Sequence, residues 1–363
     1  MAKRLALDRI LFSAVLLILA YGSVMVYSSS AVLSMNAHGS SSAIFIKHLV
    51  ILVLGFWLML FVSSFDFRKV TTTGFVAGIL LLSLALLVLV LFMRPLNNTY
   101  RWIRYGMFSF QPSELAKLAL ILFIARFLAK KSADIKKSGV NAIPILFVAI
   151  PILILIMIEP DIGTGLTSLF IIIVMLFAAG MSLWYYVIGA VIASGAFYYI
   201  VIGSNYRVAR MLAFLDPWAD PLGYGFQPIQ SMIAFGSGGL FGTGLAKGTQ
   251  KYFYLPTPFT DFIYSVTGEE LGFVGSMALV ALFLIVLWRG MRIALRAPND
   301  LGKYLALGLT VMIVGQAFIN ISVAITLLPT KGIPLPLVSY GGTSMLINLV
   351  AVGMLLNISR YTT

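Results

Sequence analysis

The stretch Leu255-Pro256-Thr257-Pro258-Phe259-Thr260-Asp261 leads into an apolar run that includes Gly268-Glu269-Glu270-Leu271-Gly272. Two prolines close a loop, Thr260 is suited to cap the helix that follows, and Asp261 then falls in its first turn. At about 100° per residue, Ser265, Gly268 and Gly272 lie within about 40° of Asp261, a stripe of small residues with nothing bulky to shield the carboxylate. A carboxylate at such a helix mouth is a candidate for catalysis. The bland alternative is that it answers the helix dipole, an effect of about 0.3–1 kcal/mol. Glu269 and Glu270, two turns deeper, have no dipole to answer. They must find a basic partner or share a proton, and that supporting role competes with catalysis.

Three further segments carry chemistry. Arg101-Trp102-Ile103-Arg104 is followed by Gln111-Pro112-Ser113-Glu114-Leu115-Ala116-Lys117. Pro112 and Ser113 open a helix and Glu114 suits its positive end, whereas Lys117 puts a cation in the first turn. An i,i+3 pair with Glu114 and a bound anion are both open readings for Lys117. Arg101 and Arg104 suit either interfacial anchoring beside Trp102 or phosphate binding. Glu159-Pro160-Asp161-Ile162-Gly163 is a sharp turn bearing two carboxylates, either of which can cap the next helix. Leu328 to Ser344 alternates prolines around Lys331 and passes through Ser339 to end in Tyr340-Gly341-Gly342-Thr343-Ser344, where backbone donors at a helix start suit phosphate as well as plain packing.

These residues need a scaffold, and composition says which. The chain has 363 residues, 60% of them hydrophobic and only 10% charged, with mean hydropathy +1.01. A soluble domain cannot hide that much apolar surface, so lipid must be part of the solvent. The chain has no Cys, which excludes disulfides, thiolate nucleophiles and Cys-ligated metals, and its two histidines, His38 and His48, do not form a zinc site. Apolar runs of membrane-crossing length recur near residues 10–29, 46–63, 73–92, 113–128, 142–158, 163–180, 182–202, 261–288, 304–328 and 341–358. The expectation is an all-α, polytopic integral membrane protein with about ten transmembrane helices. The first run continues to Tyr27 without a small-residue cleavage site, so an uncleaved span is expected.

Orientation follows from the basic residues. With the N-terminus cytoplasmic, fifteen of the 25 Lys and Arg fall in cytoplasmic loops and ten opposite, the compact clusters being 130–137 and 289–303. Asp8, Asp66, Asp134 and Asp300 lie on the basic side, where solvated pairs account for them. The other eight of the 12 carboxylates, Glu114, Glu159, Asp161, Asp216, Asp220, Asp261, Glu269 and Glu270, fall toward the outer side. Carboxylates in or beside hydrocarbon are costly and therefore functional or tightly paired, which puts the expected site outside the cell. One connection, about 203–260, is far longer than the rest. Being rich in apolar and aromatic residues, it reads as an ordered extracytoplasmic cap, with a short amphipathic or re-entrant helix expected over 227–241. The sequence has no evident internal repeat, which weakens an inverted-repeat transporter reading.

Together these segments resemble the SEDS family (shape, elongation, division, sporulation) of bacterial cell-wall polymerases, over nearly the whole chain. The resemblance is carried by 101–117, 159–165, 216–225, 230–244, 254–272 and 328–344. Around Tyr254 to Asp261 and Leu328 to Gly332 it is closer to the division-type, FtsW-like members than to the elongation-type RodA. One departure is Leu96-Asn97-Asn98-Thr99-Tyr100, where members often carry a Gly and further small or basic residues.

The resemblance implies a single membrane domain over 1–363 with peptidoglycan glycosyltransferase activity. Lipid II would be polymerised into glycan strands on the outer face of the cytoplasmic (inner) membrane during septal synthesis. Asp261 matches the family's essential aspartate. A sugar hydroxyl must lose its proton while attacking an anomeric carbon whose leaving group is a lipid pyrophosphate, which calls for one base and several cations. Asp261 would be that base, or the ligand of a divalent cation such as Mg or Mn near the pyrophosphate. No other cofactor is implied. Arg101, Lys117, Arg207, Arg210 and Lys331, with Ser339, would bind substrate, and Glu114, Asp161, Glu269 and Glu270 would support them. Lipid II, a class B penicillin-binding protein transpeptidase and other division-complex membrane proteins are the expected partners, and nucleic acid is not. A lipid II flippase and a non-catalytic division scaffold are the competing readings. The flippase requires charges along a path from the cytoplasmic side, and the scaffold does not need Asp261 and Lys117 at helix mouths.

Overall fold

The computed structural model describes residues 7–93, 99–105, 108–203, 205–252 and 255–362. Its helices are α1 (Arg9–His38), α2 (Ala43–Ser64), α3 (Thr73–Val90), α4 (Pro112–Lys137), α5 (Ile143–Ile158), α6 (Ile162–Ala178), α7 (Leu183–Ile202), α8 (Asn205–Leu215), α9 (Phe226–Gly238), α10 (Ile263–Leu295), α11 (Asp300–Ala324) and α12 (Gly342–Ser359). Every predicted span falls on a helix. By length and composition α1, α2, α3, α5, α10, α11 and α12 can cross a membrane. Against the expected count of about ten, seven helices among the described residues are long and apolar enough to cross. Of the other three, α6 and the described part of α7 are shorter apolar helices, and α4 carries Glu114 and Lys117 in its first two turns and a basic end at Lys136 and Lys137.

Burial sorts these helices into a centre and a rim. In their most apolar windows α11 and α12 are 83% buried, whereas α2 is 17% buried. The core post is therefore α11, packed against α4, α6 and α10, while α2 turns most of its apolar surface outward.

The two ends of the bundle differ chemically. At one end Asp8 caps α1 through the Leu11 amide and pairs with Arg289 at 2.5 Å, and its own amide donates to Ser359 Oγ. There too the Asn357 side chain bridges the Phe67 amide and the Ser63 carbonyl. This end holds the start of α1, the end of α12 and the basic clusters at 130–137 and 289–303. The opposite end gathers the α5–α6 turn, the starts of α4, α10 and α12, and the 325–341 segment.

Three features depart from the sequence reading or extend it. A two-stranded antiparallel hairpin, β1 (Ile103–Tyr105) and β2 (Phe108–Phe110), precedes α4. Each strand has three residues, too short for an alternation to register. The expected helix over 227–241 forms as α9, and α8 adds an amphipathic helix that the reading of that connection lacked. Finally, α10 is broken at Gly272, whose φ of 67° and ψ of −165° leave the helical region. Gly tolerates this conformation because it lacks Cβ. The backbone groups freed by the break are taken by the chain after α9. Phe273 and Val274 amides donate to Gly239 and Leu240 carbonyls, while Glu269 and Glu270 carbonyls accept from Thr243 and Gly244. A broken helix at membrane depth is tolerated when protein satisfies its backbone in this way.

Candidate active site

Asp261 lies in the turn just ahead of α10, which is capped at Phe262 without a side-chain hydrogen bond. The expected Thr260 cap does not form, because its hydroxyl donates back to the Thr257 carbonyl at 3.2 Å. The small-residue stripe does not lie open beside Asp261 either. Ser265 Oγ is 2.6 Å from Ser231 Oγ on α9, and a Cβ on Gly268 would meet the Phe235 ring at 2.3 Å. The stripe is the seat of α9, so small residues serve close helix packing there.

What fixes Asp261 comes from α11. Asn320 Nδ2 donates to the Asp261 carbonyl at 2.8 Å and to the Ile333 carbonyl at 2.6 Å. One turn earlier, Gln316 Nε2 donates to the Pro334 carbonyl at 3.0 Å and its Oε1 accepts from Lys117 Nζ at 2.6 Å. Ser339 Oγ accepts from the Leu335 amide at 2.9 Å and donates to the Thr260 carbonyl at 2.5 Å. The Tyr340 amide donates to the Phe259 carbonyl. The Ser339 hydroxyl thus spends its proton and one of its two lone pairs on backbone, stapling two site segments together.

The cations around Asp261 differ in availability. A Cβ built on Gly332 would be 3.3 Å from Asp261 Oδ2 and 3.7 Å from Arg101 Nη1, so both groups face the same glycine. Arg101 Nη2 donates to the Pro160 carbonyl, and Nη1 stands 3.9 Å from Asp161 Oδ1. Asp161 is held in turn by Gln111 Nε2 and Thr164 Oγ1, each at 2.8 Å, by Ser113 Oγ at 3.3 Å, and by the Thr164 amide that it caps. Arg210 Nη1 reaches the Thr330 carbonyl at 3.4 Å. Lys331, on the same segment, is half-buried, and burial lowers its pKa. Arg207 shares α8 with Arg210, but its side chain lies outside the described residues, as do Tyr254 and 96–98.

Other expected site residues lie apart from this cluster. Lys117 and Glu114 form a buried pair at 2.9 Å, with Gln316 completing the ammonium. The pair reading holds, and Lys117 reaches the site through Gln316. Glu269 and Glu270 do not orient the cations near Asp261. Glu270 pairs with Lys251 at 2.7 Å and accepts from Ser28 Oγ, while Glu269 accepts from the Thr249 and Gln250 amides. Together they tie the 243–251 chain to the first half of α10.

The electrostatics single out two carboxyls. Asp261 is half-buried, and desolvation pushes its pKa up to about 7, with Arg101 and Arg210 pulling it down and Asp161 adding to the rise. Desolvation and Asp161 push Glu159 up to about 9 against the pull of Arg101. Among the described residues no three His, Cys, Asp or Glu side chains gather to hold a metal. A divalent ion at Asp261 would need substrate phosphate oxygens to complete its shell, a common arrangement for Mg²⁺. Gln316 and Asn320 were not among the residues singled out in the sequence, and Gln111 stood at the head of a quoted stretch without a role of its own. The first two were legible as amide side chains at i and i+4 inside an apolar span, which must find partners in the bundle.

Comparison with known proteins covers the whole of this architecture. Residues 8–363 match the family model of the FtsW, RodA and SpoVE cell cycle proteins. The chain is 42% identical over 361 residues to stage V sporulation protein E of Bacillus subtilis (strain 168), covering 99% of each. It is also 42% identical over 342 residues to a probable peptidoglycan glycosyltransferase FtsW of Geobacter sulfurreducens, covering 93% of this chain and 91% of that one. Among solved structures it is similar to Thermus thermophilus rod shape determining protein RodA, with TM-score 0.72 and 29% identity over 98% of this chain and 97% of that one. It is also similar to a chain from a structure described as structural coordination of polymerization and crosslinking by a peptidoglycan synthase complex. There the TM-score is 0.80, with 32% identity over 98% of both chains.

Proposed function

Because the chain belongs to the FtsW/RodA/SpoVE family, the SEDS proteins, we propose that it is a peptidoglycan glycosyltransferase that polymerises lipid II during septal cell-wall synthesis. Its relatives at 42% identity carry both division and sporulation names. The observation that carries the reading is Asp261: a carboxyl titrating near neutrality and facing Arg101 across Gly332, at the end of the bundle remote from the basic clusters. A general base works best when its pKa lies near the operating pH.

In this reading the Asp261 carboxylate accepts the proton of the acceptor sugar's 4-hydroxyl as that oxygen attacks the anomeric carbon of the donor. Arg101, Arg210 and Lys331 stabilise the negative charge that collects on the departing pyrophosphate. Arg207 is assigned to the same task from its position on α8. Asp161 orients Arg101, Glu114 orients Lys117, and Ser339 holds the Asp261 loop against the proline-rich segment. The bundle end bearing Asp261 faces the cell exterior and both termini the cytoplasm, in keeping with the basic-residue asymmetry. A class B penicillin-binding protein is the expected partner, since a similar chain comes from a complex that couples polymerization to crosslinking.

A purified-protein assay with fluorescent lipid II tests this. Asp261→Ala should fold and lose about 10²–10⁴-fold in polymerisation. The parent rate should rise with pH through about 7, because the base form of Asp261 is the ionised one. A folded Asp261→Ala protein that polymerises at the parent rate would remove Asp261 from the mechanism.

A further inference from the structure

The α5–α6 turn holds a buried group that this scheme leaves unused. Glu159 is fully buried, and neither oxygen of its carboxyl has a hydrogen-bond partner among the described residues. Arg101 Nε, also buried, has no acceptor. The two belong to one neighbourhood: Arg101 Nη2 donates to the carbonyl of Pro160, the residue after Glu159, and the guanidinium acts electrostatically on the Glu159 carboxyl. An orphaned donor in the same neighbourhood as an orphaned acceptor admits a second arrangement, in which side-chain rotation pairs them. Asp161 cannot play this part, because its carboxylate is already held by Gln111, Ser113 and Thr164.

We propose that Glu159 is a positioning residue for Arg101. As a neutral carboxyl it leaves the guanidinium facing Asp261 and the substrate phosphate, and as a carboxylate it captures Arg101 Nε and draws the guanidinium away. The inference rests on the polymerase reading and adds a charge-controlled off state to it. The groups that face Glu159 are few. On its own turn Asp161 opposes ionisation, and from the segment before β1 Arg101 favours it. On α4 the buried charges Glu114 and Lys117 are paired with each other. Burial outweighs Arg101 and keeps Glu159 protonated up to about 9, so the neutral form prevails where Asp261 is already an active base. When the proton leaves to water at higher pH, the capture becomes a charge-assisted bond, roughly twice as strong as a neutral one.

The test is a ratio within each protein: lipid II polymerisation at about pH 10 divided by that at about pH 7, for the full-length parent and for Glu159→Gln. Any alkaline loss through Lys331, whose pKa burial lowers, is common to both proteins. The parent should lose close to a further tenfold for each pH unit above the Glu159 pKa, so its ratio falls well below that of the variant, which has no carboxyl to ionise at this position. A merely structural glutamate would alter yield or Tm without changing this ratio. Equal ratios in the two proteins overturn the proposal. Should Glu159→Gln fail to fold, Glu159→Met must show the same higher ratio. If the parent makes no polymer at any pH, the polymerase reading fails by itself. The positioning role is then decided by lipid II affinity over the same pH range, where greater alkaline weakening in the parent than in the variant supports it and identical curves refute it.

Discussion

A methyl group on Gly332 would press on Asp261 Oδ2 and Arg101 Nη1 together, at 3.3 and 3.7 Å. Gly332 is not among the residues of positive φ, so the backbone itself accepts alanine. Gly332→Ala is therefore expected to leave Tm unchanged while slowing polymerisation by about ten- to a hundredfold, the cost of displacing reacting groups by a fraction of an ångström to one ångström. An unchanged rate would mean that the space between the two side chains is not used. Asp261 and the Arg101 to Lys117 segment were legible in the sequence because charges in an apolar chain are few. Gly332 was not, since a glycine amid prolines reads as turn chemistry until its neighbours in space are known. Asn320 and Gln316 are less legible for a related reason: amides carry no charge, and the carbonyls to which they donate lie 13–59 residues away by chain.

At the scale of elements, the cap over 205–251 is joined to α10 by backbone at the Gly272 break and by the buried Lys251–Glu270 pair. Removing one member of such a pair strands the other charge, at a cost of about 3–5 kcal/mol, whereas removing both with apolar replacements costs far less. Lys251→Met should thus lower Tm in detergent markedly, and adding Glu270→Met should recover much of the loss. Additive losses would show that the two residues act separately. The helical cap was expected because the connection is apolar and lacks charge runs. The break was not, because Leu271-Gly272-Phe273 is indistinguishable from an ordinary helical glycine until a second segment supplies the missing donors and acceptors.

For the whole molecule, the separation of charge is what the membrane must read. The Asp8–Arg289 pair ties the start of α1 to the end of α10 at the basic end, and Asp261 lies at the other end of α10. Cysteines introduced singly at Trp218 and Leu222, both exposed, should react with an impermeant thiol reagent added outside intact cells, in a chain that has no cysteine of its own. Labelling only after the membrane is opened would put the reaction on the wrong side. The span count was less legible than the fold class: α6 and the described part of α7 are apolar but shorter than a full crossing, and α4 carries charges near both of its ends.

One amide on α11 grips both the Asp261 carbonyl and the Ile333 carbonyl. Asp261 and the segment that carries Lys331 thus share a single datum. A displacement of that central post moves both by the same vector, and the gap between Asp261 and that segment keeps its width.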